Sequence, residues 1–194
     1  TYPIVFYGDF ASLSQEVKDL PNQGKRLCIV TDSHVAPIFL EKAESELKKT
    51  GREIYSYVLP AGEENKNLEE IQGIYEFLIK NHFDRKDLLA ALGGGVVGDM
   101  TGFAAATYLR GIDFIQIPTT LLAQVDSSIG GKTGVDFKQY KNMVGAFHQP
   151  RLVYMNVSTL KTLPDEEFAC GMGEVIKHGL IRSREYSHWL DEHR

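Results

Sequence analysis

The sequence predicts an α/β fold, in which a doubly wound, Rossmann-like parallel sheet precedes the start of an all-helical domain. Three observations support this prediction. Short β-rich segments alternate with helical patterns along most of the 194 residues. The segment 87–93, "DLLAALG", is almost wholly apolar, as in a parallel strand covered on both faces. Beyond Pro164 the pattern is helical only, so we place the α/β domain at 1–163 and the beginning of the helical domain at 164–194.

The alternation assigns the individual elements in chain order. β-branched and aromatic residues predict strands at 3–8, 26–32, 53–60, 87–93, 113–120 and 151–157. Helical periodicity predicts helices at 36–51, 67–83 and 99–111, followed by a helix start with three acidic residues after Pro164. Gly51 is a typical residue to end the first of these helices. Since the carboxyl ends of parallel strands lie at one edge of the sheet, we expect the binding loops there.

Composition and charge exclude several classes of protein. A hydrophobic content of 43% argues against disorder, and a net charge of −5 argues against a nucleic-acid-binding protein. No apolar run approaches the roughly 18 residues of a membrane span. Cys28 and Cys170 have no CxxC partner and are expected to be buried thiols. The sequence begins at Thr1 and stops just after a helical pattern, so we expect a truncated, partial chain.

A glycine-rich loop follows the strand at 87–93. Gly93, Gly95 and Gly98 fit the G-x-G-x-x-G template, in which glycine lets the backbone approach a pyrophosphate at a helix N-terminus. The template also expects an acid about 20 residues downstream at the end of the next strand, but Asp113 starts its strand and lies at the wrong edge. Asp32 ends an earlier strand at the correct edge. The loop is therefore either a structural turn or the site of a cofactor that lies across the sheet in a non-Rossmann order, with the acid upstream of the glycines and not downstream.

A long polar segment occupies 117–150, and we predict little regular structure in it, which in a compact domain favours a functional loop. Its candidate functional residues are Thr119, Thr120, Asp126, Lys132, Lys141 and Asn142. Gly130 and Gly131 precede Lys132, an arrangement that could bring backbone N–H groups and an ammonium together onto a phosphate. The alternative is a solvated loop with unrelated charges.

A second polar group lies in the helical segment 171–180, "GMGEVIKHGL". Glu174, Lys177 and His178 are spaced i, i+3 and i+4, so they share one helix face. They are either a surface ion pair or a metal-binding carboxylate beside a substrate-binding lysine. His178 could also be a second metal ligand by its spacing from Glu174.

Five segments together resemble the 3-dehydroquinate synthase family: "GGGVVGDMTGFAAATYLRGI", "IQIPTTLLAQVDSSIGGKTG", "KNMVGAFHQP", "TLKTLP" and "GMGEVIKHGLI". The resemblance is dense over 92–181 and looser before it. It implies a cytoplasmic enzyme that uses NAD⁺ and a divalent metal, Zn²⁺ or Co²⁺. The implied reaction converts a phosphorylated sugar acid, 3-deoxy-D-arabino-heptulosonate 7-phosphate (DAHP), to 3-dehydroquinate and phosphate in the shikimate pathway. Neither a nucleic acid nor a membrane is an expected partner.

The resemblance also implies roles for individual residues. It implies NAD⁺ contacts for Asp32, Glu63, Lys66, Gly94, Gly95, Val96, Val97, Gly98, Asp99, Thr119, Thr120, Lys132, Lys141, Thr159, Leu160, Lys161 and Thr162. Substrate binding and catalysis are implied for Asp126, Lys132, Asn142 and Lys177, and metal binding for Glu174. Arg110 is expected to reach the substrate phosphate of a neighbouring subunit, which implies a homodimer. The resemblance thus implies that the glycine loop binds NAD⁺, with the upstream acid Asp32 and not a downstream acid as a further contact.

Two departures from the family pattern stand out. The other two metal ligands of the family are histidines of a later segment that this chain lacks, and none of the six histidines present matches them. Asp136 and Lys138 stand where many members have Asn and Pro, which we interpret as loop variation. Alternatives remain open: a related sugar-phosphate cyclase of the 2-deoxy-scyllo-inosose or valiolone type, a metal-dependent polyol dehydrogenase of related fold, or a cofactor-binding domain without catalysis.

Overall fold

The computed structural model describes residues 1–193, so Arg194, the last residue of the predicted helical domain, lies outside the described part. The strands are β1 (Ile4–Tyr7), β2 (Arg26–Asp32), β3 (Glu53–Leu59), β4 (Leu88–Gly93), β5 (Asp113–Pro118), β6 (Lys132–Phe137), β7 (Tyr140–Phe147) and β8 (Val153–Asn156). The helices are α1 (Leu13–Lys18), α2 (Glu41–Lys48), α3 (Leu68–Lys80), α4 (Gly95–Thr107), α5 (Asp165–Arg182) and α6 (Arg184–Glu192).

The main sheet confirms the predicted fold class. Six strands pair in parallel in the order β1-β8-β5-β4-β2-β3, and they are the six strands that the sequence predicts. The chain runs outward from β2 to β3 and then returns to the other side of β2 at β4, so the sheet is doubly wound. The carboxyl ends of β2, β4 and β5 consequently lie side by side.

Alternating side chains of the sheet form two cores, one on each face. Leu27 and Ile29 of β2 pack with α1 and α2, whereas Cys28 and Val30 pack with α3 and α4. All four side chains are 0% exposed. Each fully buried aliphatic side chain of this kind contributes roughly 2 kcal/mol to stability. The strands therefore have to be apolar on both faces, which is why they are recognisable in the sequence.

A hairpin corrects the prediction for 117–150, which contains more regular structure than expected. β6 and β7 pair in antiparallel fashion, with Phe137 opposite Tyr140 and Lys138 in the left-handed region at φ 55°. Two-residue hairpin turns usually contain Asn-Gly or Asp-Gly, so Lys138 and Gln139 give no turn signal. The hairpin packs on α4 through Val135, next to the carboxyl edge of the sheet.

The helices differ from the prediction mainly at their ends. α4 begins at Gly95, four residues before the predicted start, because its first turn consists of residues that are poor helix formers in isolation. α1 was not predicted, since its six residues are too few to show a helical period. The helix predicted at 36–51 is a π-helical turn followed by α2, and Gly51 at φ 80° turns the chain after it.

The two cysteines have different environments. Cys28 is buried, as expected, and burial raises the pKa of its thiol well above the ordinary value. The expectation of a buried thiol is wrong for Cys170, which is exposed on α5. Helical periodicity alone did not show which side of α5 is covered, because Gly171, next to Cys170, is the residue that lies against Leu121 in the segment after β5.

The chain ends in two helices, as predicted after Pro164. Asp165, Glu166 and Glu167 form the first turn of α5, where carboxylates interact favourably with the helix dipole. Ser183 caps α6 by accepting a hydrogen bond from the Tyr186 N–H at 3.2 Å. A domain boundary between 163 and 164 remains a prediction. In the described part of the chain, 1–193, no helix combines the length and the apolar character that crossing a bilayer requires.

Asp87 fixes the opposite, amino edge of the sheet. Its fully buried carboxylate accepts hydrogen bonds from the backbone N–H groups of Arg26 and Asp84, both at 2.8 Å. The Arg26 guanidinium lies 3.7 Å away and supplies the opposite charge. One side chain thereby ties the start of β2 to the turn that precedes β4.

We expect Asp87→Ala to lower the free energy of unfolding by about 3 kcal/mol, because two backbone donors lose their acceptor and the Arg26 guanidinium loses its opposite charge. Urea denaturation followed by circular dichroism measures this change. The control is Asp19→Ala, which removes an exposed carboxylate and should change stability by less than about 0.5 kcal/mol. Equal effects of the two substitutions would contradict the role of Asp87.

Candidate functional site

The predicted binding loops do meet at the carboxyl edge of the sheet. Gly93 ends β4 and Thr119 follows β5, and the Thr119 N–H donates to the Gly93 carbonyl at 3.0 Å. Asp32 ends β2, the neighbour of β4 on its other side. Asp113 begins β5 and lies at the opposite edge, as its position in the strand predicted. There it pairs with Arg151 at 2.7 Å, a contact that the sequence did not predict.

The N-terminus of α4 is uncapped. Gly94 is its N-cap residue, and within residues 1–193 no side chain caps this end. The N–H groups of Gly95, Val96 and Val97 therefore have no partner inside the helix, since the first such bond is donated by Gly98 to Gly94. Uncapped N–H groups and the positive end of the helix dipole together favour an anion at this point.

The glycines of the loop divide into two groups. A Cβ on Gly93 would lie 2.7 Å from Val97, and one on Gly98 would lie 2.7 Å from the Gln116 side chain, so these two glycines allow close packing. A Cβ on Gly94 would come within 3.1 Å of the Thr120 methyl, and one on Gly95 within 3.0 Å of the Ser127 hydroxyl. Gly94 and Gly95 thus keep a narrow space open between the helix start and the segment after β5.

A buried lysine links three segments beside this loop. Lys66 is 4% exposed, and its Nζ lies 2.6 Å from Asp99 Oδ2 and 2.6 Å from Asn142 Oδ1. Burial raises the pKa of Asp99, and the hydrogen bond and charge of Lys66 act in the opposite direction. All three residues are among the predicted site residues, and the structure brings them together.

A cavity of about 530 Å³ opens between the hairpin and the segment after β5. Among the predicted site residues Asp99, Asp126, Lys132 and Asn142 line it. The rest of its wall was not predicted and includes Ser127, Ile129, Thr133, Gly134, Met143, Gly145, Ala146 and Phe147. Ser127 and Ile129 come from the segment after β5, and the other six come from the hairpin of β6 and β7, which the sequence did not predict.

Three potential metal ligands converge at the outer end of this region. One ligand atom each of Asp126, Glu174 and His178 lies within 4.8 Å of the other two. Lys177 forms an ion pair with Glu174. The pKa of Lys177 is raised, mainly by its hydrogen bond to Glu174 and further by the charges of Glu174 and Asp126. The ion pair and the metal-ligand alternative of the sequence analysis therefore coexist in one cluster.

Other predicted residues lie around the same edge with their side chains already engaged. Asp32 accepts hydrogen bonds from the backbone of His34 and Val35 at 2.8 and 2.9 Å, which shapes its own loop. Lys141 pairs with Glu63 at 3.3 Å at the surface.

A short 3-10 helical turn, Val157–Thr162, follows β8 and contains Thr159, Leu160, Lys161 and Thr162. Thr159 is 1% exposed and donates to the Asn156 carbonyl at 2.8 Å, so its hydroxyl serves the protein interior. The Thr162 hydroxyl donates to the Thr159 carbonyl at 3.0 Å.

A second cavity of about 460 Å³, which the sequence did not predict, lies beside this turn and includes Phe10, Phe39 and Ser158 in its wall.

Arg110 lies apart from these groups on an exposed turn after α4. Leu109 and Arg110 both adopt left-handed backbone conformations, at φ 50° and 68°. Non-glycine residues pay a conformational cost there, so such turns are often associated with function. No contact between Arg110 and the cavity was found in the described part of the chain.

Comparison with known proteins agrees with this geometry. The family model described as "3-dehydroquinate synthase N-terminal" matches residues 56–170, more than half of the chain. A 3-dehydroquinate synthase of Ruminiclostridium cellulolyticum is 50% identical over 191 residues, covering 98% of this chain and 53% of that protein. One from Nitrosomonas europaea is 52% identical over 170 residues, covering 88% and 46%. The chain thus spans about half the length of the curated relatives it matches.

Solved structures give the same picture. A 2-deoxy-scyllo-inosose synthase complexed with carbaglucose-6-phosphate, NAD⁺ and Co²⁺ superposes with a TM-score of 0.85 at 29% identity, covering 93% of this chain and 49% of that one. The 2-epi-5-epi-valiolone synthase ValA of Streptomyces hygroscopicus, with NAD⁺ and Zn²⁺ bound, gives 0.83 at 29% identity, covering 91% and 49%. A glycerol dehydrogenase of Schizosaccharomyces pombe shares the fold alone, at 16% identity and a TM-score of 0.72, covering 91% and 42%.

The family model and the relatives that are about 50% identical point to one family. They match the region that contains the uncapped helix, Lys66 with its two partners, and the cavity. This chain belongs to the 3-dehydroquinate synthase family.

Proposed function

We propose that the protein is an NAD⁺- and metal-dependent carbon–oxygen lyase that converts DAHP to 3-dehydroquinate and phosphate. One observation carries the proposal. The cavity lined by Asp126, Lys132 and Asn142 also contains Asp99, which belongs to the helix that begins at the uncapped glycine loop. A dinucleotide at the loop and an anionic sugar in the cavity would therefore be neighbours.

The residues present fit NAD⁺. A pyrophosphate needs backbone donors and close approach, and the first turn of α4 with Gly94 and Gly95 provides both. The Thr119 hydroxyl adds a further polar group, because it is buried and has no hydrogen-bond partner among residues 1–193. The two superposed cyclases at 29% identity contain NAD⁺, which supports the same assignment here.

The residues also fit a divalent metal, although incompletely. Asp126, Glu174 and His178 offer two carboxylates and one imidazole, donor types that Zn²⁺ and Co²⁺ accept. Glu174 is the ligand that the family resemblance implies. The ammonium of Lys177 already pairs with Glu174 and competes with a cation for it.

The chemistry then divides between the bound groups and the chain. When bound, NAD⁺ would supply a hydride acceptor, which oxidises an alcohol of the sugar to a ketone and so makes the neighbouring C–H bond more acidic. The metal would supply a Lewis acid. The chain's own residues position the sugar. Lys132 and Asn142 hold its phosphate and carboxylate by charge-assisted hydrogen bonds, and Lys177 and Asp126 contact the part nearest the metal donors.

The proposed assembly is a cytoplasmic homodimer. The left-handed turn presents Arg110 at the surface, away from this chain's own cavity, where a second copy could use it. A guanidinium suits a phosphate because it donates two parallel hydrogen bonds.

The reaction is tested by assaying the full-length protein with DAHP, glucose 6-phosphate and sedoheptulose 7-phosphate in parallel. Of the three substrates, we expect only DAHP to give phosphate release, with formation of 3-dehydroquinate. NADH should not accumulate, because the hydride is returned in each turnover. Turnover of one of the other two sugars would assign a related cyclase. Net NADH formation with a polyol would assign a dehydrogenase.

Lys132→Ala should weaken binding of the sugar phosphate by at least about tenfold, because a charge-assisted hydrogen bond to a phosphate is lost. Although the resemblance also implies an NAD⁺ contact for Lys132, the affinity for NAD⁺ should change less than about twofold, since the uncapped end of α4 is untouched. Isothermal titration calorimetry measures both affinities. Equal losses for both ligands would show that the role of Lys132 is misassigned.

This 194-residue chain should retain well below one zinc ion per molecule after dialysis, because Lys177 competes for Glu174 and the three donors lie largely at the surface. Elemental analysis gives the zinc content. A single tightly bound zinc that is lost in His178→Ala would contradict this expectation and identify His178 as a ligand.

A further inference from the structure

Among residues 1–193, Lys66 is the only buried lysine. Its ammonium donates hydrogen bonds to two residues of the cavity wall, Asp99 and Asn142. An ammonium can only donate hydrogen bonds. Both partners must therefore offer an oxygen to it: a carboxylate oxygen of Asp99 and the amide oxygen of Asn142. Asn142 cannot turn its NH₂ group towards Lys66 without leaving the buried ammonium short of an acceptor, whereas either oxygen of the Asp99 carboxylate can accept from it.

For Asn142, this contact fixes which half of the amide remains for a ligand. With Oδ1 committed to Lys66, the NH₂ group is the part left over. Asn142 lines the cavity together with Lys132. The two donors of the NH₂ group thus have no partner in Lys66 and stay available to a ligand in the cavity, which suits an anionic group.

For Asp99, the same contact has the opposite consequence. Oδ2 is taken by Lys66 at 2.6 Å, so the second carboxylate oxygen remains as an acceptor at the cavity wall. An acceptor that carries negative charge suits a hydroxyl group of a sugar and disfavours an anion.

The backbone around Lys66 holds the arrangement in place. The Lys66 carbonyl accepts from the Asp136 N–H at 2.8 Å, and the Asp136 carboxylate accepts from the Asn142 N–H at 2.6 Å. Asn142 itself is in the left-handed region at φ 53°, within an irregular stretch of β7. The side chain and the backbone of Lys66 therefore act on the same point of the hairpin.

We propose that Lys66 is a positioning residue that sets the hydrogen-bonding polarity of the cavity, making Asn142 a donor to an anionic group and Asp99 an acceptor for a hydroxyl. The inference rests on the proposed function in one respect, because that function supplies the ligand class, a phosphorylated sugar acid. It differs from the NAD⁺ contact expected for Lys66, since two of the three ammonium protons are already used within the protein.

A double-mutant cycle between Lys66→Met and Asn142→Ala tests the proposal. Inorganic phosphate is the probe, titrated by calorimetry in the presence of saturating NAD⁺ so that the loop at α4 is filled. We expect Lys66→Met to weaken phosphate binding about tenfold in the native background and less than about threefold when Asn142 is already alanine. Lys80→Met, an exposed lysine of α3, is the matched control and should bind phosphate normally.

The loss of phosphate affinity on Lys66→Met in the Asn142→Ala protein measures the effect of the Lys66 charge itself. The additional loss when Asn142 is present measures the positioning of Asn142 by Lys66. Equal losses in both backgrounds would overturn the proposal. Asn142→Asp provides a second test that leaves Lys66 in place, because it keeps an oxygen for the ammonium but replaces both amide donors with a negatively charged acceptor. It should lose phosphate affinity at unchanged melting temperature, and normal phosphate binding would overturn the proposal. Failure of the unsubstituted protein to bind NAD⁺ would instead overturn the proposed function, and this inference with it.

Discussion

The close approach of α4 to the sheet and the hairpin is the constraint on which the site depends. A Cβ on Gly98 would collide with Gln116 of β5, and one on Gly102 would collide with Thr133 of β6. Only because these positions are glycine can the helix lie against both elements with its N-terminus at the carboxyl edge. The uncapped N–H groups of its first turn then lie close to Ser127, a residue of the cavity wall, where an anion can use them.

This constraint explains why the G-x-G-x-x-G template was informative but misleading in detail. Gly93 and Gly98 match the template, yet the structure uses them for packing. The glycine pair beside the open space is Gly94 and Gly95, of which only Gly95 is a template position. The edges predicted for Asp32 and Asp113 are confirmed, because a parallel sheet fixes which end of each strand carries the binding loops, whereas the cofactor contact of Asp32 stays a prediction.

The sequence was most informative where one physical rule dominates. Strands buried on both faces must be apolar, so all six strands of the sheet were predictable. The hairpin was not, because Gly134 and Gly145 lower the strand signal where the two backbones touch, and Lys138 adopts a left-handed turn without the usual residues. The cavity wall contributed by the hairpin was missed for the same reason. The polar residues of 117–150 and 171–180 were candidates from the sequence itself, and the family resemblance supplied their individual roles. The bonds of Lys66 to Asp99 and Asn142 required the three-dimensional structure, since the three lie far apart in the chain.

The central claim is that the first turn of α4 holds the pyrophosphate of NAD⁺ next to a cavity for an anionic sugar. A crystal structure of the protein soaked with NAD⁺ tests it most directly. We expect the pyrophosphate to accept hydrogen bonds from the N–H groups of Gly95 and Val96, with Thr119 or Thr120 alongside. A dinucleotide bound elsewhere on the protein, with this helix end left unoccupied, would contradict the account.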